Sequence, residues 1–236
     1  GTETEYGVVC PSKPSAHETV LSTLVVDSYE HAATEAGWDY ESESPLEDAR
    51  GYSMGAAEAH PSQLTHQGHV LTSEDVAREL YEESPDMLSP AFWDRAVMNR
   101  VLPNGARLYV DHAHPEYSAP ETTDPWAATA WDLAGDRIAA AAAASVTDRY
   151  GSTWPEPINL YKNNTDNKSV SYGAHENYLV PRSQDFQSLA RDFIPYLATR
   201  QVIAGAGRAG IGADGVRPGF QISQRADFFE REIGLE

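Results

Sequence analysis

Residues 104–117 constrain the fold more than any other part of the sequence, because their side chains alternate in character. They begin with Asn-Gly, a dipeptide typical of tight hairpin turns, and continue as RLYVD. Successive side chains of a strand point to opposite faces, so Leu108 and Val110 are predicted on an apolar face that packs on a core. The opposite face is predicted to carry a cation, a phenol and a carboxylate: Arg107, Tyr109 and Asp111.

Pro115 is expected to end this strand, because proline has no N–H to donate to a neighbouring strand. Glu116 would then lie just beyond the strand end. The alternation by itself leaves two interpretations open. The polar face is either a functional site or the solvated side of an edge strand.

The first residues of the chain repeat the alternation. If residues 1–9 form a strand, Glu3 and Glu5 lie on one face, roughly 7 Å apart. Two carboxylates at this spacing repel each other unless a cation lies between them, and Mg²⁺ favours carboxylate oxygen. The alternative is a solvent-facing edge strand at the terminus.

The remaining elements follow from hydrophobic periodicity and from turn residues. Residues 38–72 mix aromatic and acidic side chains without a period, and we expect them to form a long mobile loop. The letters at 205–210 fit a dinucleotide-binding fingerprint, but glycines and a proline follow where a helix should begin, so we discount the match. Helices are predicted at 17–36, 72–81, 90–100, 126–150 and 188–199, and strands at 158–162, 170–180, 202–204 and 220–227, with the first two strands as a hairpin. The string TTDP at 122–125 is predicted to cap the helix at 126–150, with proline at its first position. The residues predicted on or near the buried side of this helix are Trp131, Leu133, Ile138 and Val146.

The composition excludes several classes of protein. The net charge of −19, from 36 acidic and 17 basic residues, argues against non-specific binding to nucleic acid and against binding to an anionic membrane surface. No apolar run approaches the ~20 residues that span a bilayer. The single cysteine, Cys10, excludes an internal disulfide and predicts a reducing, cytoplasmic location.

Five strings along the chain carry a family resemblance. They are GTETEYG at 1–7, NGARLYVDHAHPEYSAPE at 104–121, YKNNTDN at 161–167, YGAHENYL at 172–179 and SQRADFFE at 223–230. Together they resemble the Pup ligase/deamidase family, a branch of the glutamine synthetase-like carboxylate-amine ligases.

The resemblance implies an α+β fold with an antiparallel or mixed glutamine synthetase-like sheet and helices packed on one face. Family members are much longer than 236 residues. We therefore expect residues 1–236 to be the N-terminal part of the large catalytic domain, without the small C-terminal domain.

The family has a ligase arm and a deamidase arm. The string DHAHPE at 111–116 and the segment 38–52 resemble the deamidase arm, in which residues 38–72 would be an extra loop near the active site. ETE at 3–5 is closer to the ligase arm. The longer match favours the deamidase arm.

The resemblance implies an amidohydrolase that depends on ATP and Mg²⁺. Such an enzyme converts the C-terminal glutamine of the small modifier Pup to glutamate and cleaves the isopeptide bond between Pup and lysine side chains. Both reactions replace nitrogen with water at a side-chain carboxamide carbon. The implied partners are Pup and pupylated proteins, with no nucleic acid and no membrane.

The resemblance also assigns roles to single residues. Asp111 corresponds to the catalytic aspartate, which acts either as a nucleophile on the carboxamide carbon or as a general base for water. Three arginines correspond to positions that contact nucleotide phosphate or an oxyanion: Arg107, Arg225 and Arg208. The implied metal ligands are Glu3, Tyr109 and Glu116, with Glu5 and His175 as weaker members.

Three alternatives stay open from the sequence. A Pup–protein ligase would use ATP to phosphorylate the C-terminal glutamate of Pup, and Asp111 would deprotonate the incoming lysine. A second alternative is a catalytically incomplete fragment that binds nucleotide or Pup. The third, a metallohydrolase built on His112 and His114, would need further ligands that the sequence does not place.

Overall fold

The computed structural model describes residues 1–31, 34–35, 92, 98–165, 171–229 and 232–233. The predicted loop at 38–72 and the predicted helix at 72–81 lie outside the described residues. The chain divides into two compact units, each described below by itself. The first unit comprises Gly1–Glu43, His60–Lys162 and Ala174–Asn177, and the second comprises Ser44–Ala59, Asn163–Gly173 and Tyr178–Glu236.

The first unit is built on an antiparallel sheet. Six of the described strands lie in the order β3-β4-β5-β6-β1-β8, and β2 pairs separately with β7. Every pairing is antiparallel, in agreement with the predicted α+β class. The elements are β1 (Thr2–Glu5), β2 (Gly7–Val9), α1 (Glu18–Asp27), β3 (Thr34–Glu35), β4 (Asn99–Val101), β5 (Arg107–Asp111), β6 (His114–Ser118), α2 (Pro125–Tyr150), β7 (Asn159–Tyr161) and β8 (Ala174–Glu176).

Helices α1 and α2 pack on one face of this sheet and form its core. Leu108 of β5 and Tyr117 of β6 are opposite each other and fully buried, and Leu24 of α1 is fully buried in the same core. Helix α2 approaches closely because Gly135 lies under the Tyr117 ring, where a Cβ atom would collide with the ring carbons. The alternation predicted for residues 107–111 therefore has its apolar side on the helices.

The prediction for α2 is confirmed in its bounds and wrong in part of its buried face. The Asp124 side chain accepts a hydrogen bond from the Trp126 N–H (2.7 Å), and Pro125 occupies the first turn. Leu133, predicted near the buried side, is 56% exposed. The helix buries mostly small residues, Gly135, Ala139, Ala142 and Ala143, because it approaches the sheet and α1 closely, and Val146 is buried as predicted.

Three further predictions of secondary structure were wrong because pairing between distant segments outweighs local pattern. Helix α1 ends at Asp27, and Thr34–Glu35 forms edge strand β3 on β4. Asn99 and Arg100, the last two residues of the helix predicted at 90–100, instead belong to strand β4, which pairs with β5. The predicted hairpin of 158–162 with 170–180 does not form, since β7 pairs with β2 and β8 with β1.

The second unit contains α3 (Phe186–Thr199), α4 (Gln201–Ala204), β9 (Arg208–Ile211) and β10 (Arg217–Gln221). Residues 202–204, predicted as a strand, continue from α3 as α4. The glycine-rich string at 205–210 leads into β9 and not into a helix, so the dinucleotide fingerprint is absent as a structural motif. Within the described residues, no helix combines the length and apolarity needed to cross a bilayer.

Candidate active site

The sheet face opposite the helices gathers seven of the predicted site residues. The strand registers place Tyr109 opposite Glu116, Glu116 opposite Glu5 on its other side, and Glu3 opposite His175. Four neighbouring strands thus contribute to one surface. Two of its residues, Glu3 and His175, are more than 170 positions apart in the sequence. This surface, called the acidic face below, carries Glu3, Glu5, Arg107, Tyr109, Asp111, Glu116 and His175.

Pro115 does not end the strand as the sequence predicted. It lies within β6, opposite Val110, and Glu116 occupies the middle of the strand. The Pro115 carbonyl accepts a hydrogen bond from the Tyr6 N–H (2.9 Å), so the side of β6 that lacks a donor faces the region where β1 has already ended. A proline is tolerated in this position, because β1 ends at Glu5 and its ladder with β6 does not extend to Pro115.

Glu116 is the centre of a hydrogen-bonded chain across the acidic face. Its side chain is buried, with the residue 2% exposed, and the Tyr109 hydroxyl donates to Oε1 at 2.7 Å. Ser118 donates to Oε1 of Glu3 at 3.2 Å and lies 3.4 Å from the Tyr109 hydroxyl. Nδ1 of His175 completes the chain at 3.0 Å from Oε2 of Glu3.

Electrostatic crowding is strongest at Glu116. Burial, together with the negative charges of Asp111, Glu3 and Glu5, raises the pKa of Glu116 to about 8. The hydrogen bond to Glu3 raises the pKa of His175 to about 8, and the same bond lowers the pKa of the Glu3 carboxyl. The four carboxyl groups on this sheet face therefore repel one another when they are ionised, and a bound cation would reduce the repulsion.

The donor set fits a hard divalent cation. Carboxylate oxygens dominate it, and these are the ligands that Mg²⁺ prefers. The phenol of Tyr109 directs its proton to Glu116 and is held neutral, because burial raises its pKa well above the ordinary range. In this structure Tyr109 orients the Glu116 carboxylate, and direct binding of a metal by Tyr109 stays a prediction. Two groups of side chains have ligand atoms within 4.8 Å of one another: Glu3, Glu116 and His175, and Glu5, Asp111 and His112.

Asp111 ends β5 at the hairpin that joins it to β6. Its Oδ2 atom lies 2.9 Å from Nδ1 of His112, and its side chain is about one quarter exposed, so a substrate atom can reach it. His114, its partner across the hairpin, holds Oε2 of Glu5 at 3.0 Å through Nδ1. The candidate catalytic carboxylate therefore borders the acidic cluster at the more exposed end of the strand.

The three arginines predicted to contact nucleotide lie in different units. Arg107 projects from the acidic face at the other end of β5 from Asp111. In the second unit, Arg208 is buried, donates to the Ala213 carbonyl at 2.8 Å and lies 3.6 Å from the Asp227 carboxylate. Arg225 donates to the Tyr172 carbonyl at 2.6 Å. The nucleotide contacts of Arg208 and Arg225 stay predictions.

The site implied by the resemblance omitted Ser118 and also His114, which entered only the metallohydrolase alternative, although both side chains lie on the same sheet face as the acidic residues. Each pairs with a predicted ligand, His114 with Glu5 and Ser118 with Glu3. Period-two alternation in HPEYS would have found both, since 114, 116 and 118 share one face. Placing the strand end at Pro115 concealed this pattern.

An antiparallel sheet with helices on one face and clustered carboxylates on the other defines the glutamine synthetase-like α+β class. A solved structure described as the complex between Prokaryotic Ubiquitin-like Protein Pup and its Ligase PafA shares this fold. The similarity has a TM-score of 0.54 and 27% identity, and it covers 96% of this chain and 34% of that chain.

The chain belongs to the Pup-ligase protein family, whose model matches residues 1–236. It is 49% identical over 240 residues to the Depupylase of Acidothermus cellulolyticus and 44% identical over 241 residues to the Pup deamidase/depupylase of Mycolicibacterium smegmatis. Both matches cover 100% of this chain but only 42% and 43% of the relatives. A Pup–protein ligase of Bifidobacterium adolescentis is 35% identical over 72% of this chain and 34% of its own.

Proposed function

We propose that the chain carries the catalytic carboxylates of an ATP- and Mg²⁺-dependent amidohydrolase that acts on Pup. Its reactions would be deamidation of the C-terminal glutamine of Pup and cleavage of the isopeptide bond in pupylated proteins. The observation that carries the proposal is the placement of Asp111 beside a buried carboxylate cluster on one sheet face. The lone Cys10, which is buried and free, fits a cytoplasmic enzyme of this kind.

The deamidase assignment is favoured over the ligase assignment by the extent of similarity. Relatives named for deamidation or depupylation align with the whole chain at 44–49% identity. Relatives named as ligases align with 72% of it at 35% identity. The ETE string at 3–5 does not help to distinguish a deamidase from a ligase in the structure. Thr4 faces the core, and both glutamates lie on the acidic face.

We propose that Glu3 and Glu116, which lie in one group of possible ligands, hold Mg²⁺, with His175 orienting Glu3 through their hydrogen bond. Glu5, opposite Glu116 on β1, is a weaker candidate for the same ion. Arg107 would bind nucleotide phosphate through its planar guanidinium group. When bound, magnesium would neutralise phosphate charge and polarise oxygens near it. Tyr109 and Ser118 keep Glu116 and Glu3 in fixed orientations by hydrogen bonding.

Asp111 would act on the carboxamide carbon by one of two routes. As a nucleophile, its carboxylate oxygen attacks the δ-carbonyl carbon, the C–N bond breaks, the nitrogen leaves with a proton, and water then hydrolyses the anhydride. As a general base, it takes the proton of a water molecule that attacks the same carbon. Hydroxylamine added during turnover distinguishes the routes, since only the anhydride route can leave a hydroxamate on Asp111, whereas hydroxylamine that merely replaces water would modify Pup alone.

The discriminating experiment supplies the full-length gene product with ATP, Mg²⁺ and either glutamine-ended or glutamate-ended Pup. The proposal predicts conversion of glutamine to glutamate and release of Pup from a pupylated protein, both followed by mass spectrometry. Conjugation of glutamate-ended Pup to lysine without deamidation would identify a ligase instead.

The length of the chain relative to its relatives favours one further candidate function. This candidate is a fragment that binds nucleotide or Pup but does not catalyse the reaction. The 236-residue chain covers 42–43% of the relatives named depupylase or deamidase. Measuring ATP binding and Pup deamidation on this chain alone separates the candidates. Binding without turnover supports the fragment, and turnover excludes it.

A further inference from the structure

The loop between β5 and β6 holds a histidine in a backbone conformation that most side chains avoid. Strand β5 ends at Asp111 and β6 begins at His114, and these two residues are opposite each other. His112 and Ala113 therefore form a two-residue hairpin loop. His112 has φ 51°, and among the described residues it is the one non-glycine residue with positive φ. Loops of this kind usually carry glycine, asparagine or aspartate at their first position.

The His112 side chain is directed at Asp111. Its Nδ1 atom lies 2.9 Å from Oδ2 of Asp111, which is the length of a strong hydrogen bond to a carboxylate. That bond raises the pKa of His112 above its ordinary value. Ser22 of α1 anchors the other loop residue, because its hydroxyl donates to the Ala113 carbonyl at 2.6 Å. The loop is thereby fixed to the helix layer behind the sheet.

We infer that His112 is a positioning residue for the reaction proposed above: it donates from Nδ1–H to Oδ2 of Asp111 and fixes the orientation of that carboxylate. The inference rests on the proposed function, since it assigns the imidazole a task only if Asp111 is the reacting group. With Oδ2 held, the Asp111 carboxylate keeps one rotamer at the strand end, and its other oxygen is presented in a constant direction. A carboxylate that ends a strand without such a partner would sample several rotamers.

His112 combines a left-handed backbone, with φ 51°, and a side chain whose Nδ1 atom lies 2.9 Å from the Asp111 carboxylate. Unfavourable backbone conformations persist at sites where the side chain they present has a use. A loop with only a structural task would be served equally well by glycine or asparagine without an imidazole.

Substitutions of His112 that change the atom at the δ position of its side chain test this inference. Asparagine and aspartate both tolerate positive φ, as histidine does, and both place a polar atom at the δ position. The Asn amide can donate to Asp111 as Nδ1–H does, whereas an Asp carboxylate accepts only and repels Asp111. His112→Gly keeps the backbone and removes the side chain. Ala113→Gly loosens the same loop and keeps the imidazole.

The experiment measures deamidation of glutamine-ended Pup by the full-length gene product with ATP and Mg²⁺. We expect H112N and A113G to keep most of kcat. H112D and H112G should lose kcat by a factor on the order of 10², the cost of a displacement of about 1 Å at a reacting group, with KM for Pup unchanged. Added imidazole should restore part of the H112G rate, which a purely structural role of the side chain would not allow. Thermal unfolding of each variant establishes that it is folded.

Three results overturn the inference. If H112G and H112D turn over at wild-type rates while Asp111→Asn is inactive, His112 has no positioning task and the proposed function stands. If H112N and A113G lose as much activity as H112D and imidazole restores none, the loop backbone alone matters. If wild-type protein does not deamidate Pup at all, the proposed function fails first and the inference fails with it.

Discussion

At the scale of single residues, Glu116 has the least favourable environment of the described carboxylates on the acidic face. It is buried, and the three other carboxyl groups that raise its pKa lie on the same surface. Its hydrogen bond from Tyr109 satisfies one oxygen but supplies no charge. The folded protein therefore tolerates Glu116 best when it is protonated or when a cation is bound beside it.

This environment predicts a pH dependence of stability for metal-free protein. The folded pKa of Glu116, about 8, lies above its ordinary value of 4.5, so the folded state binds more protons between these values and stability falls as pH rises. His175 acts in the same direction, since its raised pKa of about 8 gives stability that is complete below 6.5 and lost through 8. Urea unfolding in EDTA at pH 6 and pH 8 measures the slope.

Glu116→Gln should flatten this slope and stabilise the metal-free protein at pH 8 by a few kcal/mol, since each pKa unit corresponds to about 1.4 kcal/mol. Glu121→Gln is the matched control, because Glu121 is exposed and away from the acidic face. Equal slopes for the wild type and the Glu116 variant would show that Glu116 does not carry the effect.

At the scale of elements, one buried ion-pair cluster joins the two helices to the sheet. Asp27, at the last turn of α1, has a side chain 1% exposed. Arg100 of β4 binds its Oδ1 at 2.9 Å, Arg149 of α2 binds its Oδ2 at 2.8 Å, and Tyr150 also donates to Oδ2. Residues separated by more than 120 positions meet at this carboxylate. The cluster therefore fixes how the helix layer sits on the sheet, on the side opposite the acidic face.

Asp27→Asn should therefore destabilise the protein by about 3–5 kcal/mol, because it leaves a buried arginine without its counter-charge. The midpoint of urea unfolding measures the change. The matched control is Asp148→Asn, an exposed position on α2 that should shift stability by less than about 0.5 kcal/mol. An Asp27 variant as stable as this control would mean that the cluster contributes no net stability.

The elements that the sequence predicted well are those whose signals are local. Alternation placed Arg107, Tyr109 and Asp111 on one face, and Asp124-Pro125 marked the start of α2. The predictions of secondary structure failed where pairing between segments distant in the sequence decides the structure. Residues 34–35 became a strand because β4 was available to pair with them, and Pro115 stayed within β6 because β1 ends beside it.

The same distinction holds within the candidate site. Strand period alone could group Glu3 with Glu5 and Arg107 with Asp111, but no local signal showed that the two strands flank β6 or that His175 lies opposite Glu3. The family resemblance supplied that grouping. The positive φ of His112 is not visible in the sequence, since histidine is not the residue that usually marks such a loop.

At the scale of the whole molecule, the net charge of −19 favours cation binding in general, so specific magnesium binding must be separated from screening. At constant ionic strength, Mg²⁺ should raise the unfolding temperature of wild-type protein. The gain in stability is about 2.7 kcal/mol at a hundredfold excess over the dissociation constant. Glu3→Gln should reduce this gain, and Glu121→Gln should leave it unchanged. An equal gain in both variants would place the bound ion elsewhere.

The proposed role of Asp111, as the catalytic carboxylate of a Pup amidohydrolase, can be tested at the whole-protein level. The experiment compares Asp111→Asn with Asp148→Asn in the full-length gene product, following deamidation of glutamine-ended Pup by mass spectrometry and ATP binding in parallel. We expect the Asp111 variant to lose turnover by a factor on the order of 10⁴ and to keep ATP binding, because a group that acts in the chemical step is removed. The Asp148 variant should match the wild type. If the Asp111 variant deamidates Pup at a rate near that of the wild type, Asp111 is not the catalytic carboxylate.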